Sequence, residues 1–153
     1  MTDAALAPEL PHAPSVIRLL LGKLGIAYEE VLDHHGLNAS RKVQAVLLDD
    51  AVGALMVLFP QSQLLDLNRL AELTGRRLTA VSTERLEKML GKHNLSLLPG
   101  LPALTSSPCL YEESLLREPK LLINSGEPGL LLEITSEAFK SMLTKASAAN
   151  FGE

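Results

Sequence analysis

The sequence predicts an α+β fold: a single domain in which helices surround a mixed, mainly antiparallel sheet. Three observations carry this reading. Apolar runs such as "VQAVLLDD" and "AVGALMVLFP" read as strands, with Asp49-Asp50 to Gly53 as the hairpin turn between them. Other segments show helical spacing and end in recognisable caps. The two kinds mix without the regular alternation of a doubly wound parallel sheet.

Residues 1–13 are rich in Ala and Pro and are expected to form a flexible tail, with the domain at 14–146 and a frayed tail at 147–153. Pro14 can open a helix at its first turn. "SVIRLLLGKLG" then places Val16, Ile17, Leu20, Leu21 and Leu24 on one face, and Gly25 ends it. "IAYEEVL" follows as a strand and "DHHGLNAS" as a loop. The central hairpin is apolar almost throughout, as expected of strands covered on both faces. In the next helix Asp66 is the N-cap, Leu67, Leu70, Ala71 and Leu73 form a face, and Gly75 is the stop. "RRLTAVS" reads as a short strand, and "STERLEKMLGK" as a helix capped by Ser82 or Thr83. The proline-rich stretch 94–110 is expected to be extended and irregular. "PCLYEESLL", "KLLINSG" and "GLLLEIT" read as three strands, and "SEAFKSMLTKA" as a closing amphipathic helix.

Composition narrows the function. The chain has 153 residues and a net charge of −4. Extended duplex binding is driven by counterion release from a basic surface, and that is not expected here. The lone Cys109 excludes an internal disulfide and a multi-thiolate metal site, and its apolar neighbours suggest a buried, inert thiol. His34 and His35 are adjacent, His12 and His93 stand alone, and no metal-ligand spacing occurs, so no metal is expected. No run is long and apolar enough to span a bilayer, and "MTDAALAPELPHAP" lacks the pattern of a signal peptide. A cytoplasmic protein that does not contact membrane is the expectation.

No phosphate-binding loop or dinucleotide fingerprint is present. Two loops are candidates for a site. "NSGEPG" can expose backbone N–H groups to an anion or a carbonyl oxygen, and "LLPGLP" lets a ligand approach Gly100 closely; each could equally be an ordinary connector. "ASRKVQAVLLDD" places Arg41 and Lys42 at the start of an apolar strand. Lys42 is either a solvated strand start or a cation carried into a pocket. Arg41, Arg76 and Arg77 could meet phosphates or serve solubility.

The order of these pieces resembles the YbaK/ProX family of aminoacyl-tRNA editing domains, also found inserted in some bacterial prolyl-tRNA synthetases. The resemblance runs from about Ser15 to Leu143. It is carried by "LLGKLGIAYEEVLDH", by "VQAVLLDDAVGALMVLFPQSQLLDLNRLAELTG", by "LLPGLP", by "CLYEESLL" and by "LLINSGEPGLLLEITSEAFKSML". It implies hydrolysis of the ester between a wrong amino acid and the terminal ribose of a tRNA, with no cofactor. It implies a lysine on the first hairpin strand as the main functional residue. Measured back from the Asp49-Asp50 turn, that lysine falls nearer Gln44 than Lys42, and the two share a strand face. The family's Gly-rich loop is depleted around Pro99 and Gly100, and Glu112 stands about where the family has Asp. The expected site is therefore Lys42 and Gln44 in the catalytic role, with Pro99, Gly100, Glu112, Ser125, Gly126 and Gly129 lining the substrate. The expected partner is the acceptor end of an aminoacyl-tRNA, with a synthetase or a fused regulatory domain as a further candidate. A second reading keeps the fold as a binding or regulatory module without turnover.

Overall fold

A computed structural model describes residues 12–143 and 146–149. The fold is the expected α+β arrangement, centred on the hairpin of β2 (Lys42–Asp49) and β3 (Ala54–Pro60). The two strands pair antiparallel from Val43↔Pro60 to Asp49↔Ala54. Around them the chain forms α1 (Ser15–Leu24), β1 (Glu29–Leu32), α2 (Leu67–Thr74), β4 (Thr79–Ala80) and α3 (Thr83–Gly91). It continues with α4 (Pro102–Thr105), β5 (Cys109–Glu112), β6 (Lys120–Asn124), β7 (Leu130–Thr135), α5 (Ser136–Met142) and β8 (Ala146–Ala149). The sheet order is β1-β7-β6-β2-β3-β5-β8, with β4 paired to β2. The sheet is mixed: β2–β6, β3–β5 and β5–β8 are parallel, and the other pairings are antiparallel.

Local chemistry explains the element ends. The Asp66 side chain accepts from Arg69 N, Ser82 does the same for Arg85 N, and Thr135 caps α5 through Ala138 N. Gly25 and Gly75 end their helices in the left-handed region, where a side chain would be strained. The irregular stretch 94–110 contains one turn of helix, α4, with Pro102 at its start. "EESLL" leaves the sheet after Glu112 as a 3-10 turn over Glu113–Arg117. The expected boundaries also meet new neighbours. Ala13 is buried in the main core, and residues 147–149 belong to β8, which pairs with β5. Residues 1–11, 144–145 and 150–153 lie outside the described residues.

The apolar hairpin is indeed shared between two cores. Val43, Leu47, Met56 and Leu58 join the main cluster with Ile17, Leu21, Leu121, Ile123, Leu132 and Phe139. Leu48, Leu55, Val57 and Phe59 turn the other way, to a smaller cluster with Leu70 of α2 and Leu78. Alternation along a strand produces the division. Among the described residues the second cluster takes in no side chain of β6 or β7.

Candidate functional site

The sheet forks beside β2. Its pairing with β6 is confined to Lys42↔Leu122 and Val43↔Ile123, and β4 takes the same edge only at Leu48 and Asp49. Between them the edge has no strand partner among the described residues. A cleft of about 170 Å³ opens there, lined by Asp33, Lys42, Val43, Gln44, Ala45, Gln61, Leu98, Leu122, Asn124 and Leu131. Register places Lys42, Gln44, Leu122, Asn124 and Leu131 on one face, opposite the main core. Leu98, Leu122 and Leu131 are buried, so an apolar floor carries a polar rim.

Lys42 is the cation of this cleft. Its side chain is 15% exposed, and Nζ stands 2.8 Å from Asp33 Oδ1. It also donates to the His34 carbonyl at 3.4 Å. An ammonium has three N–H donors, so one has no acceptor among the described residues. The main chain around it is fixed: Gln61 N donates to Lys42 O at 2.8 Å, and Asp33 N donates to Gly129 O at 2.9 Å. A second, wider depression of about 520 Å³ adjoins the cleft, lined by His34, His35, Leu37, Ala39 and Gly129. Asp33, Lys42 and Gln61 line both. The ion pair therefore stands where the two hollows meet.

Arg41, the neighbour of Lys42, is engaged elsewhere. Its Nη2 donates to Glu133 at 2.6 Å and its Nε to the Lys120 carbonyl at 3.1 Å, which ties the start of β2 to β6 and β7. Arg76 is likewise held by Asp50, whereas Arg77 is exposed.

The expected site residues separate into three groups. Lys42 and Gln44 line the cleft, and Gly129 lines the adjoining depression. Pro99, Gly100, Ser125 and Gly126 are buried behind it. Gly100 packs on β6, where an added Cβ would lie 3.4 Å from Ile123 Cβ. The Ser125 hydroxyl donates to Leu130 O at 2.8 Å and accepts from Glu127 N at 3.2 Å, bracing the β6–β7 turn. Gly126 has φ +92°, and its carbonyl accepts from Ser96 and Leu97 N–H, joining the two candidate loops. Glu112 is 3% exposed on β5, beyond β3 from the cleft and outside its lining.

Asp33, Gln61, Leu122 and Leu131 were not singled out from sequence, whereas Asn124 and Leu98 fell within the two candidate loops without being named as site residues. Gln61 was within reach, because the hairpin register that pairs Gln44 with Phe59 sets Gln61 beside Lys42. Leu122 arrives through a parallel pairing between distant segments, which carries no local sequence signal.

The cleft can supply one cation and several amide groups to a polar ligand, and an apolar wall to a small side chain. Cys109 takes no part: it is buried in the main core, and burial pushes its thiol up to about 12. Among the described residues no three His, Cys, Asp or Glu side chains gather as metal ligands would. No helix there is long and apolar enough to cross a membrane.

The family model for the aminoacyl-tRNA editing domain matches residues 26–142, and the chain belongs to that family. No curated protein matches it. Solved structures do. A candidate signal transduction protein from Marinobacter aquaeolei VT8 is 26% identical, with a TM-score of 0.82 over 94% of this chain; the chain spans only 31% of that protein. A candidate trans-editing enzyme for prolyl-tRNA synthetase is 20% identical, with a TM-score of 0.73 over 95% of this chain and 99% of that one. A hypothetical protein, APE2540, is 16% identical, with a TM-score of 0.73 over 90% of this chain and 99% of its own. At these last two identities the likeness concerns the fold.

Proposed function

We propose that this member of the aminoacyl-tRNA editing family is a trans-acting hydrolase that cleaves the ester of misacylated tRNA at the acceptor end. The observation that carries the reading is the position of Lys42, at the junction of a small, apolar-floored cleft and a wider, more open depression. An aminoacyl ester has the same division: a small side chain on one side of the reacting carbonyl, and a ribose, base and phosphate on the other.

In this reading the aminoacyl group enters the 170 Å³ cleft. That is close to the roughly 150 Å³ cavity that accommodates a benzene-sized group, so a small amino acid fits. The ribose and terminal base occupy the depression beside His34 and His35. Water adds to the ester carbonyl carbon. The Lys42 ammonium donates its spare N–H to the oxyanion that forms. The bond from carbonyl carbon to ribose oxygen then breaks, the ribose oxygen takes one proton of the water, and the amino acid leaves as its carboxylate, with the second proton released to solvent. The neighbouring ribose hydroxyl assists the water, so no protein base is assigned. Gln44, on the same face as Lys42, orients the carbonyl through its amide. The buried loop residues Pro99, Gly100, Ser125 and Gly126 hold the walls, and Glu112 supports β5 at one remove. The proposed setting is the cytoplasm, alone or beside a synthetase.

The alternative is a binding module that recognises without cutting. Two observations favour it: the lysine that the family resemblance implies falls nearer Gln44 than Lys42, and one neighbour of similar fold is about three times as long and named for signal transduction. Deacylation of a panel of mischarged tRNAs, including Ala-tRNA and Cys-tRNA for Pro, separates the two. Turnover by wild type that Lys42→Ala abolishes supports the hydrolase. No turnover on any substrate, with tRNA or a partner still bound, supports the module.

A further inference from the structure

We propose that Asp33 is the receptor for the α-ammonium group of the aminoacyl moiety, so that the cleft selects esters with a free amino group. This rests on the reading of the cleft as an aminoacyl-ester site.

Asp33 is the acidic side chain that lines both hollows. It follows β1 directly, and its backbone is pinned through Asp33 N to Gly129 O at 2.9 Å. Its side chain is 41% exposed and so open to a ligand. It already holds an ammonium: Lys42 Nζ sits 2.8 Å from Oδ1. Two carboxylate oxygens offer about four acceptor sites, so a second ammonium can bind without expelling the first. The spacing suits one substrate. In an α-aminoacyl ester the ammonium and the carbonyl oxygen are separated only by Cα and the carbonyl carbon. Groups that hold both must therefore be close neighbours, as Asp33 and Lys42 are.

Pairing has a second consequence. An ammonium arriving at Asp33 takes the acceptor sites that Lys42 leaves free, which sets the substrate carbonyl oxygen against the spare N–H of Lys42. A substrate without the amino group still meets Lys42 but lacks the anchor at Asp33. Asp33 would thus be a specificity residue that also positions the cation.

The test uses an acceptor-stem minihelix carrying alanine through a non-hydrolysable 3′-amide, and its lactyl counterpart, in which a hydroxyl replaces the amine. Dissociation constants are measured for wild type, Asp33→Asn and Lys42→Met. Wild type is expected to prefer the alanyl form by about tenfold, the size of one charge-assisted hydrogen bond at a partly exposed site. Asp33→Asn should bind both forms with no preference. Lys42→Met should weaken both and keep the preference, which a mere counterion to Lys42 would not produce. A preference that survives in Asp33→Asn overturns the proposal. Equal binding of both forms by wild type overturns it while leaving the editing reading intact. Failure of folded wild type to bind either form overturns both.

Discussion

The two ends of β2 carry opposite charge and are treated differently. At its acidic end Asp49 and Asp50 are closed by arginines: Arg85 reaches Asp49 at 2.6 Å, and Arg76 holds both Asp50 oxygens at 2.6 and 2.9 Å while also donating to Gly53 O. Asp50 Oδ1 further accepts from Val52 and Gly53 N–H. Every strong partner there belongs to the hairpin turn or to the elements next to it. At the basic end Arg41 is similarly spent on Glu133, but Lys42 meets one aspartate and has a hollow on either side. A charge that closes a turn is surrounded by partners. A charge that serves a ligand keeps a donor in hand and an opening beside it.

That contrast can be broken experimentally. The largest effect is expected at the open end: Lys42→Ala should lower deacylation by about 10²–10³-fold, the usual cost of losing an oxyanion donor, with little change in melting temperature. Next is the scaffold behind the cleft. Gly126→Ala forces a side chain into φ +92° and sets its Cβ 2.8 Å from Leu95 Cδ2. It should cost about 1–3 kcal/mol in chemical denaturation and loosen the contact between the two loops.

At the closed end Arg76→Ala should lower the melting temperature and leave deacylation unchanged. Its pH dependence has a definite sign. Hydrogen bonds from Arg76, helped by those from Val52 and Gly53 N–H, hold the Asp50 carboxyl well below the usual carboxylate range. A depressed carboxylate stabilises the fold at pH values above its unfolded value and loses that contribution as pH falls through the folded one. The stability gap between wild type and Arg76→Ala should therefore be full at neutral pH and narrow below about pH 4. Melting scans from pH 7 to pH 2 read it. Arg85→Ala should have the smallest effect, below about 1 kcal/mol, because the Arg85 side chain is 65% exposed and its pair with Asp49 is screened.

Legibility from sequence followed the range of the interactions involved. Asp66, Ser82, Gly25 and Gly75 act within a few residues of themselves, and their roles as caps were plain. The hairpin pattern located β2 and β3 and set Lys42 and Gln44 on one face. The one-turn helix at Pro102–Thr105 and the 3-10 turn at Glu113–Arg117 were not visible, because neither is long enough to show a period. The fork that makes the cleft depends on where β6 stops pairing with β2, a tertiary fact. For that reason the loops around Gly100 and Ser125 looked like pocket walls in sequence, whereas their buried residues brace the strands behind it. Asp33 left only a faint signal, an acidic residue directly after a strand.

The most direct test compares single-turnover deacylation of the best mischarged tRNA by wild type, Lys42→Ala and Gln44→Ala, with melting curves to confirm folding. The account predicts that activity is lost in Lys42→Ala and falls less than tenfold in Gln44→Ala, whose amide orients but carries no charge. Full activity in a folded Lys42→Ala would contradict it, and would make the ion pair with Asp33 a strand anchor like those at the other end of β2.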